Sequence, residues 1–162
     1  METTVNTPVG HTWGRWMNSK RRDYQVFCDF GRVERIGIIK KGLPAVLLVK
    51  LASDMDVPRE VVFDWLAIPR ATANRKVRQK AVLSQAESER ALGIGRIVGR
   101  VGRIVHESGN REGFDAAKWT AAWLDRPNPA VGGRRPSDYM DTADGRALVA
   151  GLLIQMQSGT CA

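Results

Sequence analysis

Cysteine and histidine are scarce in this chain, with only Cys28, Cys161, His11 and His106 among 162 residues. Their separations match no zinc-ligand spacing, and two distant thiols make no disulfide framework in a chain of this length. No apolar run approaches the roughly twenty residues that cross a bilayer, and no apolar segment follows a basic start. Neither a membrane span nor a signal peptide is therefore expected, and a reducing cytoplasm is the expected compartment. Strand-like alternation is missing, as are internal repeats and long low-complexity tracts. Neither histidine has a nucleophile or carboxylate partner nearby in sequence. The acids lie among arginines or at helix starts, where ion pairing and the helix dipole account for them. No enzyme, cofactor or metal is expected.

Positive charge and helical spacing are what the chain does contain. The formal charge is +8 and the pI about 10.1, which suggests a polyanionic partner. That charge is uneven: residues 1–83 hold 15 Lys and Arg against 8 Asp and Glu, whereas residues 84–162 hold 10 against 9. One half suits nucleic acid and the other is nearly neutral. With 43% hydrophobic residues the chain can bury a core.

The periodicity predicts an all-α chain. Residues 1–31 show no sustained period, though they carry Trp13, Trp16, a basic cluster at Lys20, Arg21 and Arg22, then Tyr24, Phe27 and Phe30. They read as a largely flexible arm, solvated except where its second half docks. Val33–Lys41 reads as a short helix ended by Gly42 and Pro44, and Leu47, Leu48, Leu51, Ala52 and Met55 recur at helical spacing in the next. Val57-Pro58 opens a third, with Val61, Val62, Trp65 and Leu66 facing inward, and Ala67-Ile68-Pro69 makes a tight break. The basic segment Arg70–Lys80 follows. Two short helices with a three-residue joint match a helix-turn-helix, although Phe63 and Ala67 occupy places usually held by a small residue and a glycine. In such a unit Arg70, Thr72, Asn74, Arg75 and Arg78 would divide between base edges and phosphates, and Lys76 and Lys80 would take phosphates.

Ser84-Gln85-Ala86-Glu87 is a capping box, opening a helix that runs to about Glu107. Gly93, Gly95 and Gly99 within it imitate a dinucleotide-binding loop, but that fingerprint must follow a strand and open a helix; here the glycines allow close helix packing instead. Arg96, Arg100 and Arg103 share one face, read as a solvated stripe in preference to a rim contacting DNA or an acidic partner. Asp138, Asp141 and Asp144 lie at spacing three, which capping explains more simply than a metal.

The stretch from Phe114 to Gly159 joins two helical segments through a stiff connector. Pro127, Pro129, Pro136 and Gly132-Gly133 fall within ten residues, stopping one helix and forbidding another there. Thr142 restarts helix as an N-cap, and Gly159 closes it. Leu148, Val149, Leu152, Leu153 and Met156 form a stripe suited to the helix carrying Ala117, Trp119, Ala122 and Trp123. So small a unit needs a partner to cover its apolar surface.

This pattern resembles the C-terminal toxin-binding domain of Xre-type antitoxins of the Xre/MbcA/ParS family, most strongly over Trp119–Gly159. Ile68-Pro69-Arg70-Ala71-Thr72 with Arg75-Lys76 is similar to the family's recognition helix. The first thirty residues lie outside the resemblance, and 1–31 stays a flexible or partly docked arm. The resemblance implies an Xre-like helix-turn-helix domain at 32–110 and a toxin-binding domain with C-terminal tail at 111–162. It also implies a type II toxin-antitoxin system whose toxin is an NAD-consuming RES-domain protein, occluded by the antitoxin's C-terminal end. By that implication Gln157, Ser158, Gly159, Thr160, Cys161 and Ala162 form the plug, and Trp119, Trp123, Arg134 and Arg135 are further toxin-binding candidates. Repression of its own operator DNA as a homodimer within a hetero-oligomer is likewise implied. The alternative is a stand-alone helix-turn-helix regulator with a C-terminal self-association domain.

Overall fold

In the computed structural model, residues 9–20, 23–109 and 112–159 are described. Nine α-helices follow in order among them: α1 Val9–Asn18, α2 Val26–Asp29, α3 Arg32–Lys41, α4 Val46–Met55, α5 Arg59–Trp65, α6 Arg70–Arg78, α7 Gln85–Glu107, α8 Ala116–Leu124 and α9 Ala143–Ser158. The only extended pairing among the described residues is an isolated bridge between Pro44 and Val82. Beside it, Leu83 N–H donates to the Leu43 carbonyl at 2.8 Å and Leu43 N–H donates to the buried Ser88 hydroxyl at 2.9 Å. These bonds hold the α3–α4 link against the α6–α7 link.

Most helix ends have local chemical causes. Gly42 closes α3 at φ 88° and Gly159 closes α9 at φ 69°, a conformation glycine adopts without a Cβ clash. Ser84 Oγ accepts Glu87 N–H at 3.1 Å while the Glu87 carboxylate takes Ser84 N–H at 2.7 Å, completing the capping box of α7. Asp115 caps α8 through Lys118 N–H, and Thr142 caps α9 through Gly145 N–H at 3.0 Å. The proline-rich connector is free of α-helix but holds two 3-10 turns, Pro129–Val131 and Pro136–Tyr139.

Helix α7 is the axis of the molecule. α2, α3, α8 and α9 all pack on it, and one continuous core takes side chains from Trp16 to Leu153. The glycine-rich stretch lies in mid-helix, where a Cβ on Gly95 would stand 2.9 Å from the Phe27 ring and one on Gly99 would meet the Tyr24 carbonyl oxygen.

Three expectations bear on this packing. The second half of the N-terminal segment docks on the body over its described part: Trp16, Met17, Tyr24, Phe27 and Phe30 are buried. Trp16 meets Tyr24 and Phe27 edge-on at 5.1 and 5.0 Å, and its indole donates to the Asp23 carbonyl at 2.9 Å. Aromatic residues without period in sequence still find a surface, here the bare flank of α7. Second, α9 does not lie along α8. α8 rests on α4 and α7, while α9 rests on α7 and the Pro136–Tyr139 turn, so the rest of the chain supplies the cover the C-terminal unit needs. Third, Leu148 and Met156 are exposed and Ala122 points outward; only Val149, Leu152 and Leu153 of the expected stripe join the core.

Candidate nucleic-acid and toxin interfaces

α5 and α6 are joined by a turn in which Ala67 takes φ 49°, the left-handed conformation a glycine would adopt more easily. Phe63, Leu66 and Ile68 are buried around it. The bulky residue in the first helix and the alanine in the turn are thus accommodated, the first by the core and the second by a strained backbone. Asp64 and Arg70 close the turn from outside with two side-chain hydrogen bonds, at 3.1 and 2.5 Å. Those bonds, more than simple charge attraction, hold the Asp64 carboxyl below its usual range.

α6 itself is one-sided. Ala73 is buried and Val77 packs against the core, while Ala71, Arg75 and Arg78 share the exposed face, with Lys80 just beyond. Thr72 lies at the edge. Asn74 has its Oδ1 enclosed without a hydrogen-bond partner, so the amide must turn before it can pair with adenine through both atoms.

Lys76 departs from the phosphate-contact role expected of it. Its Nζ lies 2.5 Å from the Glu87 carboxylate, with the two side chains only 18% and 11% exposed. Burial by itself would raise the Glu87 pKa. Hydrogen bonds from Lys76 and the Ser84 amide, with the lysine's charge, more than offset that, and the net shift is downward. Lysine counts alone do not show this, because the acid it meets belongs to the next helix. Lys76 ties α6 to the cap of α7, and the outward cations are Arg75, Arg78 and Lys80.

The C-terminal candidates separate similarly. Trp123 is buried; Trp119 is half-buried and stacks on it at 6.0 Å, tilted against Phe114 at 6.3 Å. Arg135 is exposed but donates to Asp125 at 2.8 Å, tying the connector back to the end of α8. Arg134 is exposed. Gln157, Ser158 and Gly159 are exposed at the end of α9, while Thr160, Cys161 and Ala162 lie outside the described residues. No group of acids, cysteines and histidines that could hold a metal occurs among the described residues.

Two family models divide the chain along the same line. Residues 34–96 match the antitoxin Xre-like helix-turn-helix domain. Residues 111–159 match the antitoxin Xre/MbcA/ParS C-terminal toxin-binding domain. A curated Sphingobium protein (strain YBL2), named "Prs ADP-ribosylating antitoxin", is 44% identical over 139 residues, which is 86% of this chain and 87% of the relative. The chain belongs to the Xre/MbcA/ParS antitoxins. In this antitoxin the helix-turn-helix match takes in α4, α5 and α6, and the toxin-binding match takes in α8, the connector and α9. No helix among its described residues is long and apolar enough to cross a membrane.

Proposed function

We propose that this antitoxin neutralises an NAD-consuming RES-domain toxin in the cytoplasm, binding it through residues 111–162 and blocking its active site with the C-terminal end. The observation that carries this reading is the end of α9. A helix packed on the core finishes in an exposed, glycine-capped turn at Gln157, Ser158 and Gly159, and Thr160–Ala162 follow directly. A tail tethered by a folded body enters a cleft at high effective concentration and needs no chemistry of its own. Trp119 and Arg134 are the further contacts proposed, with Trp123 supporting Trp119 from beneath. The relative's name supports an NAD-linked partner, since ADP-ribosyl transfer draws its ADP-ribose from NAD.

Through residues 32–110 the antitoxin also binds its own promoter as a repressor and homodimer, with Arg75, Arg78 and Lys80 in contact and Arg70, Thr72 and Asn74 at the margin. The basic face of α6 and the neutralised Lys76 support that division. The test is co-expression with the protein encoded beside it, followed by co-purification and an NAD-consumption assay. The full chain is expected to form a complex and suppress NAD loss. Deleting Thr160–Ala162 is expected to weaken inhibition about tenfold or more while promoter binding persists. A truncated chain that protects as well as the full one defeats the plug.

A further inference from the structure

The groove between α3, α7 and α9 touches the proposed C-terminal plug only at Gln157 and is otherwise used by neither interface above. It encloses about 800 Å³ and is lined by Arg32, Arg35, Arg96, Arg100, Arg103 and Arg146 against only Glu89 and Glu107. Arg103 pairs with Asp29 at 2.5 Å, Arg146 reaches Glu89 at 3.8 Å, and Arg35 donates to the Phe30 carbonyl. Arg32, Arg96 and Arg100 have no carboxylate within ion-pair distance among the described residues. The Nε of Arg96 is moreover enclosed with no hydrogen-bond partner. Burial first, then repulsion from Arg35 and Arg100, depresses its pKa. The arginine stripe is therefore half-buried along a groove and is not a fully solvated face. The Nε is closed to the groove as it stands, so an anion there would be held by the charge and the remaining nitrogens of Arg32, Arg96 and Arg100.

The rims carry the second half of the argument. Seven large apolar residues are exposed on the described surface; five sit on the two bordering helices, of which Val33, Leu148 and Met156 lie outside the groove. Ile36 and Ile154, 46% and 49% exposed, line the groove itself. A basic floor between apolar rims complements a segment with acids on one side and apolar residues on the other. Nucleic acid would satisfy the arginines but leave both isoleucines uncovered. A second copy of this chain would bring the same excess of arginines and be repelled.

We propose that this groove receives an acidic, amphipathic segment of the toxin, so that α3 and α7 of the helix-turn-helix half and α9 of the toxin-binding half grip one element together. This rests on the antitoxin reading above and adds a second contact, in which the toxin enters the antitoxin rather than the reverse.

The test uses full-length antitoxin and a catalytically inactive form of the toxin, titrated by calorimetry at low and high salt, with operator DNA binding measured in parallel. Arg96→Gln with Arg100→Gln is expected to weaken toxin binding about tenfold or more and to flatten its salt dependence. Ile154→Asp, at an exposed site, is expected to do the same without lowering the melting temperature, and it decides the matter if the arginine pair destabilises the fold. DNA affinity is expected to stay within about twofold. Variants that bind toxin like the wild type, or that lose DNA instead, overturn the groove. A wild-type chain that binds no toxin sinks the antitoxin reading itself, which is a different outcome from wild-type binding with indifferent variants.

Discussion

Replacing Lys76 with Met keeps the apolar stem of the side chain and removes the ammonium that meets Glu87. The magnitude follows from where the pair sits. Exposed ion pairs contribute about 0–1 kcal/mol, while stripping one partner from a fully buried pair costs about 3–5. At 18% and 11% exposure this pair lies between those limits. Glu87 keeps its bond to the Ser84 amide, so about 2 kcal/mol is the expected loss. For a chain of this size that lowers the melting temperature by roughly 4–8 °C. The pH dependence has a definite sign. Glu87 titrates below its ordinary value when folded, so its contribution is present above the unfolded pKa and lost as pH falls through the folded one. The wild type should therefore lose more stability than Lys76→Met on acidification below about pH 4.5, the ordinary glutamate value. The assay is urea unfolding of the wild type, Lys76→Met, Glu87→Gln and the double variant, repeated across acid pH. A coupling of about 1–2 kcal/mol is expected in the cycle. If Lys76→Met unfolds like the wild type but loses promoter DNA, the lysine is a phosphate contact after all and the tether is refuted.

Three further outcomes are expected. Ala67→Gly relieves the left-handed alanine in the α5–α6 turn and should stabilise the protein by about 1 kcal/mol in chemical denaturation; an unchanged or lower midpoint shows the turn to be unstrained. Arg75→Ala with Arg78→Ala should abolish promoter binding at physiological salt, or reduce its salt slope by about 1 per lost phosphate contact, and leave toxin neutralisation intact. Loss of neutralisation as well would mean that one surface serves both partners. Gly99→Ala forces a Cβ against the Tyr24 carbonyl and should cost roughly 1–3 kcal/mol, with increased proteolysis of the segment before residue 31; wild-type stability there means the segment can shift away freely.

Much of the fold was legible because the signals are local. A cap bonds within three or four residues, so Ser84 with Glu87, Thr142, Gly42 and Gly159 mark helix ends without knowledge of the rest of the chain. Prolines forbid helix in the connector wherever it lies in space. The all-α class, the basic α6 and the mid-helix place of the glycines all follow from such short-range rules. What covers each apolar face does not. Periodicity shows that α9 has an apolar side but cannot choose α7 over α8, and aromatics without period give no hint that Trp16–Phe30 will lie on Gly95 and Gly99. Charges are the least legible of all. Lys76 reads like Arg75 until the fold brings Glu87 to it from eleven positions along the chain. Arg96 reads like any surface arginine until α3 and α9 enclose it. Sequence determines which groups are charged and which segments coil. Only the tertiary structure decides which charges are paired, because pairing depends on distance and desolvation between residues that no local rule connects.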